Sequence, residues 1–136
     1  MASETATQDF ERALGLIKVE RVFEAVPLLD QVIATEPGWA EAYVQRARVR
    51  KRLGDKERAI ADYSKAIKLA PTAETYLARA LLWLDLGQVK GAIADSQQAV
   101  ALKPEFAGGH KVLAKTLEAS GDGIGAIAAY IKAARC

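Results

Sequence analysis

The chain contains nearly the same stretch twice. Residues 59–71 read AIADYSKAIKLAP, and 33 residues later residues 92–104 read AIADSQQAVALKP. When this alignment is extended in both directions, one alanine column continues through four copies at steps of 34, 33 and 34 residues: Ala25, Ala59, Ala92 and Ala126. A fixed period of about 20–50 residues is the signature of a repeat protein, in which one supersecondary unit stacks on its neighbours.

Other columns keep the same register. A second alanine column holds Ala13, Ala47, Ala80 and Ala114. A proline column holds Pro37, Pro71 and Pro104, and an aromatic column holds Tyr43, Tyr76 and His110. A glycine column holds Gly54, Gly87 and Gly121, and Glu20 replaces the glycine in the first copy. The alanines are expected where the two helices of one copy approach each other most closely.

Each copy predicts two amphipathic helices, because apolar residues recur at helical spacing and glycine or proline follows them. Short turns then place successive helices antiparallel. We expect an all-α fold with helices at 6–19, 22–35, 39–53, 56–69, 73–86, 89–102, 107–120 and 123–135. Pro27 falls inside the second helix, and its ring should kink that helix or move its start toward Glu24.

The second copy carries a family resemblance. Its sequence, AEAYVQRARVRKRLGDKERAIADYSKAIKLAPT, resembles a tetratricopeptide repeat over its whole length, with the aromatic, small, Gly-Asp, alanine, tyrosine and proline positions in order. The resemblance covers residues 6–136 after an N-terminal tail of residues 1–5. The four repeats would occupy residues 6–39, 40–72, 73–106 and 107–136.

The resemblance implies a single domain, an α-solenoid of about eight antiparallel helices in a right-handed superhelix. In this family the first helix of each pair lines a concave groove, which holds a peptide or an extended segment of another protein. The function implied is a protein-protein interaction scaffold or adaptor, and not an enzyme.

Part of the positive charge on the third helix is predicted to be structural. Arg46 precedes Asp62 by 16 residues, and Arg79 precedes Asp95 by the same spacing. The fourth repeat loses both members together, with Leu113 and Ala129 at the matching positions. We therefore expect Arg46–Asp62 and Arg79–Asp95 pairs between the two helices of one repeat, since guanidinium and carboxylate favour a forked geometry in half-buried places.

In the implied repeat geometry, the remaining residues on the first helices form the candidate binding groove. The groove would have an apolar floor and basic patches, and its predicted lining is Phe10, Leu14, Val44, Arg48, Lys51, Arg52, Leu77, Leu81, Leu84, Lys111 and Lys115. An acidic, partly apolar segment of a partner protein complements such a surface. The alternative is that these lysines and arginines are simply solvated.

One known use of the family is a clamp for the C-terminal carboxylate of heat-shock chaperones, which needs lysine, asparagine and arginine at set positions. Counted from the first repeat, those positions hold Phe10, Leu14, Gln45, Glu74 and Ala78. Counted from the second repeat, they hold Val44, Arg48, Ala78, Gly108 and Val112. Neither set matches, so binding of chaperone tails by this clamp is not expected.

The composition points away from other classes of function. The only histidine, His110, lies in the aromatic packing column, and together with the only cysteine, Cys136, it cannot form a zinc site. We expect no catalytic residues, metal or cofactor. The net charge of +2 is too small to suggest nucleic acid, and no apolar run approaches the roughly 20 residues that membrane insertion requires. No signal peptide is recognisable, and a cytoplasmic location is predicted.

The last helix, IGAIAAYIKAARC, has few polar residues on any face. Ile131 stands where the other repeats have Asp30, Ser64 and Gln97. Solenoids usually end in a capping helix with a polar outer face, so either the chain is a segment of a longer array or another copy or partner covers this end. The alternative function is therefore a self-assembling module that oligomerises through Ile127 and Ile131.

Overall fold

The structure is a computed structural model that describes residues 3–136. All the regular secondary structure in this range is helical. In chain order they are α1 Glu4–Lys18, α2 Val22–Thr35, α3 Ala40–Arg52, α4 Lys56–Leu69, α5 Ala73–Asp85, α6 Val89–Leu102, α7 Ala107–Ser120 and α8 Gly123–Arg135. The predicted all-α fold is confirmed, and the predicted helix boundaries agree to within two residues.

The largest boundary difference is at the start of α1, which begins at Glu4. The Ser3 side chain accepts a hydrogen bond of 3.1 Å from the Ala6 N–H, and a serine in this position satisfies a backbone donor that the helix leaves unpaired. The predicted tail therefore loses Glu4 and Thr5 to the helix, and residues 1 and 2 lie outside the described residues.

Pro27 lies inside α2, which begins at Val22 and not near Glu24. The predicted later start is therefore wrong. A proline has no N–H, so the carbonyl of Phe23, four residues earlier, lacks its helical partner. Phe23 and Pro27 are both exposed, and water can take the place of the missing donor.

The chain divides into two compact halves, Met1–Ala70 and Pro71–Cys136. The described part of the first half contains α1 to α4, and the second half contains α5 to α8. The boundary lies close to the end of the predicted second repeat, at residue 72. The single domain predicted over residues 6–136 stays a prediction.

The N-terminal half has its core where helix pairs approach closely. Ala13, Ala25, Ala47 and Ala59, one from each of α1 to α4, have no exposed surface. Apolar side chains surround the first pair, and the rings of Phe10 and Trp39 pack with centroids 4.5 Å apart. The alanine columns therefore lie at the close contacts between helices, as their spacing predicts.

The C-terminal half repeats this arrangement. Ala80, Ala92 and Ala114 have no exposed surface, on α5, α6 and α7 respectively. At the contact between α6 and α7, a Cβ added to Gly109 would lie 3.2 Å from Val100 Cγ1. Glycine is therefore the residue that fits there without moving a neighbour.

The glycine column has a conformational cause. Gly54, Gly87 and Gly121 adopt positive φ angles of 85°, 76° and 89° in the turn that follows the first helix of their repeats. Glu20, which replaces the glycine in the first repeat, adopts the same conformation with φ at 65°. A left-handed conformation costs a residue with a Cβ about 1–2 kcal/mol, so this turn is strained in the first repeat alone.

We predict that Glu20→Gly raises the free energy of unfolding by about 0.5–1 kcal/mol. The relief of strain should outweigh both the entropy of the added glycine and the loss of the exposed Glu20–Arg52 ion pair. Gly54→Ala is the matched control and should lower stability by about 1 kcal/mol. Urea denaturation followed by circular dichroism measures both. A Glu20→Gly protein less stable than the wild type would show that the ion pair dominates.

Candidate functional site

Two of the arginines on α3 are held by the second helix of their own repeat. Arg46 donates through Nε and Nη2 to Asp62 Oδ2 and Oδ1, at 3.0 and 2.8 Å. Arg50 Nη1 donates to Asp62 Oδ2 at 2.8 Å. Asp62 is buried, so its carboxylate contacts these two guanidinium groups and little solvent. The predicted Arg46–Asp62 pair is confirmed.

The predicted Arg79–Asp95 pair is confirmed as well. Nε and Nη2 of Arg79 donate to the two carboxylate oxygens, both at 2.7 Å. The hydrogen bonds to Asp95 raise the pKa of Arg79, and burial acts in the opposite direction. Arg12, whose repeat has no matching aspartate, lies 3.7 Å from the Asp9 carboxylate on the exposed side of α1.

Sequence reasoning missed one carboxylate in this network. Arg46 Nη1 also donates to Asp30 Oδ1 on α2, at 2.9 Å. Asp30 precedes Arg46 by the same 16 residues by which Arg46 precedes Asp62. That symmetry was visible in the sequence, and it makes Arg46 a bridge between the first and second repeats.

We predict that Asp62→Ala lowers the free energy of unfolding by on the order of 3 kcal/mol, because Arg50 loses its carboxylate and Arg46 keeps only the half-exposed Asp30. Asp30→Ala is the matched control, since it removes one half-exposed partner of Arg46, and it should cost less than about 1 kcal/mol. Urea denaturation of both variants measures the two losses of stability. Equal losses would mean that Asp62 contributes no more than a surface ion pair.

The other predicted groove residues on α3 remain at the surface. Arg48, Lys51 and Arg52 are exposed, and Val44 is half-buried. Arg52 forms an ion pair with Glu20, whereas no hydrogen bond or ion pair within residues 3–136 occupies Arg48 or Lys51. Burial raises the pKa of the Tyr63 hydroxyl, and the nearby charge of Arg48 acts in the opposite direction.

On α1, the structure separates the two predicted groove residues. Phe10 is only 8% exposed and packs in the core against Trp39. Leu14 is 36% exposed. Phe10 is therefore a core residue and not part of an open surface, because α2, α3 and Trp39 surround it. Helices α1 and α3 touch, so Leu14, Val44, Arg48, Lys51 and Arg52 are the N-terminal patch of candidate site residues.

The C-terminal half carries a second patch on neighbouring helices α5 and α7. Lys111 and Lys115 are exposed, one helical turn apart, and Leu81 and Leu84 are half-buried. Leu77, predicted as groove lining, is buried in a cluster with Ala73 and Ala99 and belongs to the core. The C-terminal patch is therefore Leu81, Leu84, Lys111 and Lys115.

His110 is anchored as its column predicts. Its Nε2 lies 2.6 Å from the carbonyl oxygen of Pro104. The Tyr43 hydroxyl donates to the carbonyl of Pro37, at 2.9 Å and the same separation of six residues. Histidine and tyrosine thus make the same contact at the start of their helices, and this buried contact accounts for His110 as a packing residue.

Outside these two patches, the candidates are a surface cleft, metal binding and membrane insertion. An open cleft of about 450 Å³ is lined by Pro104, Glu105, His110, Lys132, Arg135 and Cys136. Within residues 3–136, no three potential ligand side chains are grouped to hold a metal ion. In the same range no helix has the length and apolar character needed to cross a bilayer.

The predicted self-association residues are exposed on α8. Ile127 and Ile131 have 62% and 47% of their surface accessible, and Ile124, which was not part of that prediction, has 86%. Tyr130 is also exposed, unlike its counterpart Tyr63, and its hydrogen bond to Glu118 raises the pKa of the Tyr130 hydroxyl. The buried side of α8 is made of Ala126, Ala129 and Ala133.

Comparisons with known proteins agree with this architecture. Residues 40–72 match the family model described as tetratricopeptide repeat. No curated protein matches the chain. A crystal structure of MamA is 20% identical with a TM-score of 0.91, covering 96% of this chain and 77% of that one. MamA residues 41 to the end from Desulfovibrio magneticus RS-1 are 21% identical with a TM-score of 0.88, covering 96% and 74%.

YrrB, described as a TPR protein with an unusual peptide-binding site, superposes with a TM-score of 0.84. It is 18% identical, and the match covers 93% of this chain and 66% of that one. At these levels of identity the three structures share a fold with this chain.

Proposed function

Because the chain is a tetratricopeptide-repeat protein, we propose that it is a non-catalytic scaffold or adaptor that binds an extended segment of a partner protein. The segment is acidic and partly apolar, and it lies on the first helices of the repeats. YrrB, which has the same fold, is described as having a peptide-binding site, and this supports a peptide as ligand. Binding in the cytoplasm, and without the chaperone-tail clamp, remains part of this proposal.

The observation that carries the proposal is the division of positive charge on α3. Asp62 and Asp30 together offset the charges of Arg46 and Arg50, and Glu20 pairs with Arg52. Arg48 and Lys51 are left with exposed charge and no carboxylate among residues 3–136. Lys111 and Lys115 repeat this arrangement on α7. Uncompensated cations on a binding face accelerate the association of an acidic ligand and orient it.

Apolar side chains accompany these cations. Leu14 and Val44 lie within the N-terminal patch, and Leu81 and Leu84 lie within the C-terminal patch. A ligand that alternates carboxylates with apolar residues satisfies both features, since one face of an extended peptide meets charge and apolar surface in turn. This is the reason for proposing a partly apolar segment and not a uniformly acidic one.

We predict that Arg48→Glu combined with Lys51→Glu abolishes capture of the natural partner from native lysate and weakens its binding about tenfold or more. Lys65→Glu with Lys68→Glu is the matched control, because it reverses the same number of charges at exposed positions on α4. Affinity capture read by mass spectrometry identifies the ligand. Fluorescence anisotropy at two salt concentrations then measures the affinity of each variant for that ligand. Equal capture by both double variants would remove the N-terminal patch from the binding site.

A second candidate function is self-assembly through α8. The observation that favours it is the exposure of three isoleucines on one helix of a small domain, since contiguous exposed apolar patches mark interaction surfaces. In this role the chain supplies an oligomeric platform, and the basic patches are presented in more than one copy.

A further inference from the structure

The outward face of α8 departs from the pattern of α4 and α6, whereas α2 also has an exposed apolar residue, Phe23, at the position of Ile124. Ile124 occupies the position of Glu57 in α4 and Lys90 in α6. Ile131 occupies the position of Gln97 in α6. Lys90 and Gln97 stay exposed although α7 packs on α6. In α6, stacking of the following repeat therefore leaves both positions exposed, although in α2 Arg46 of the following repeat reaches Asp30, the counterpart of Ile131. The apolar character of these positions in α8 requires another explanation.

Ile124, Ile127, Ala128 and Ile131 form one stripe along α8, which we call the isoleucine stripe. Successive members are three or four residues apart, so they share the side of the helix opposite the buried Ala126, Ala129 and Ala133. The stripe is close to symmetric about its centre, because Ile124 and Ile131 are equally far from the midpoint between Ile127 and Ala128. An antiparallel second copy of α8 would therefore place isoleucine on isoleucine at both ends and isoleucine on alanine in the middle.

The charges at the two ends of α8 favour the same pairing. Asp122 is exposed at the N-terminal end, where its side chain caps the helix by accepting a hydrogen bond from the Gly125 N–H. Lys132 and Arg135 are exposed in the last turn. In an antiparallel pair the cationic end of each helix lies beside the partner's Asp122, and the two helix dipoles oppose each other favourably.

Head-to-tail stacking of copies is the competing arrangement, and the residues of α1 oppose it. Helix α7 packs on α6 through Gly109, which lies against Val100, and its Val112 packs against the buried cluster that contains Ala99 of α6. At the matching positions α1 has Gln8 and Glu11, and both are exposed. Placing α1 of one copy on the apolar face of α8 of another would bury a carboxylate against isoleucine without a partner.

We propose that two copies of the chain form a two-fold symmetric dimer in which the isoleucine stripes of α8 pack antiparallel. This inference rests on the second proposed function, self-assembly through α8, and adds the symmetry and register of the interface. A two-fold axis makes the contact isologous and closed, so assembly stops at the dimer. A single helix pair buries less surface than a standard interface of about 1,600 Å², so the dissociation constant should be on the order of micromolar or weaker.

Sedimentation equilibrium of the full chain over a range of concentrations tests self-assembly. We expect a monomer–dimer equilibrium, and Ile131→Glu should raise the dissociation constant about tenfold or more. Gln97→Glu is the matched control, because it adds the same charge at the equivalent position of α6. Phe23→Glu is a second control, since Phe23 is 77% exposed and occupies the equivalent of Ile124 on α2. Both controls should dimerise like the wild type.

Disulfide formation in a Cys136→Ser background tests the geometry separately. Ala128→Cys lies beside the two-fold axis and should cross-link to itself rapidly. Ile124→Cys should not, because its two copies would be about 10 Å apart along the helices, beyond the roughly 7 Å between Cα atoms that a disulfide spans. A mixture of Ile124→Cys and Ile131→Cys proteins should form the mixed dimer.

The outcomes separate the inference from the function on which it rests. A monomer at all concentrations, or a dimer that Ile131→Glu leaves intact, overturns both. A dimer sensitive to Ile131→Glu in which Ile124→Cys cross-links to itself keeps self-assembly and overturns the antiparallel register. Assembly that grows beyond the dimer overturns the closed symmetry and supports head-to-tail stacking.

Discussion

The close approach of the two helices in each pair is the constraint on which the rest of the structure depends. Ala47 on α3 and Ala59 on α4 have no exposed surface, and their equivalents in the other repeats are similarly buried. A methyl group lets the helix backbones come near enough for short side chains to reach across. Asp62 can therefore receive both Arg46 and Arg50, whereas a larger residue in either alanine column would push the carboxylate away from them.

This packing also decides which charges are available for binding. Arg46 and Arg50 are four residues apart and lie on one face of α3, where Asp62 receives them. Arg48 and Lys51 lie off that face, exposed to solvent. A run of basic residues that looks uniform in the sequence is thus divided by helical geometry into a structural set and a set that is free to meet a ligand.

The two surfaces proposed for function differ in their physics. The patches on the first helices combine cations with half-buried apolar residues, and they suit a ligand that is attracted at long range and held by small contacts. The isoleucine stripe on α8 has little charge except at its ends, and it suits a partner that removes apolar surface from water.

The sequence by itself determined the repeat period, the eight helices, the alanine contacts and the two Arg–Asp pairs. Each of these follows from a local rule or from a spacing that recurs in two or more of the repeats. Only the tertiary structure decided that Phe10 and Leu77 are core residues, that Asp30 joins Arg46, and that Tyr63 is buried whereas Tyr130 is exposed. Exposure of a side chain depends on which neighbouring helices cover it, and the spacing of residues within one helix does not contain that information.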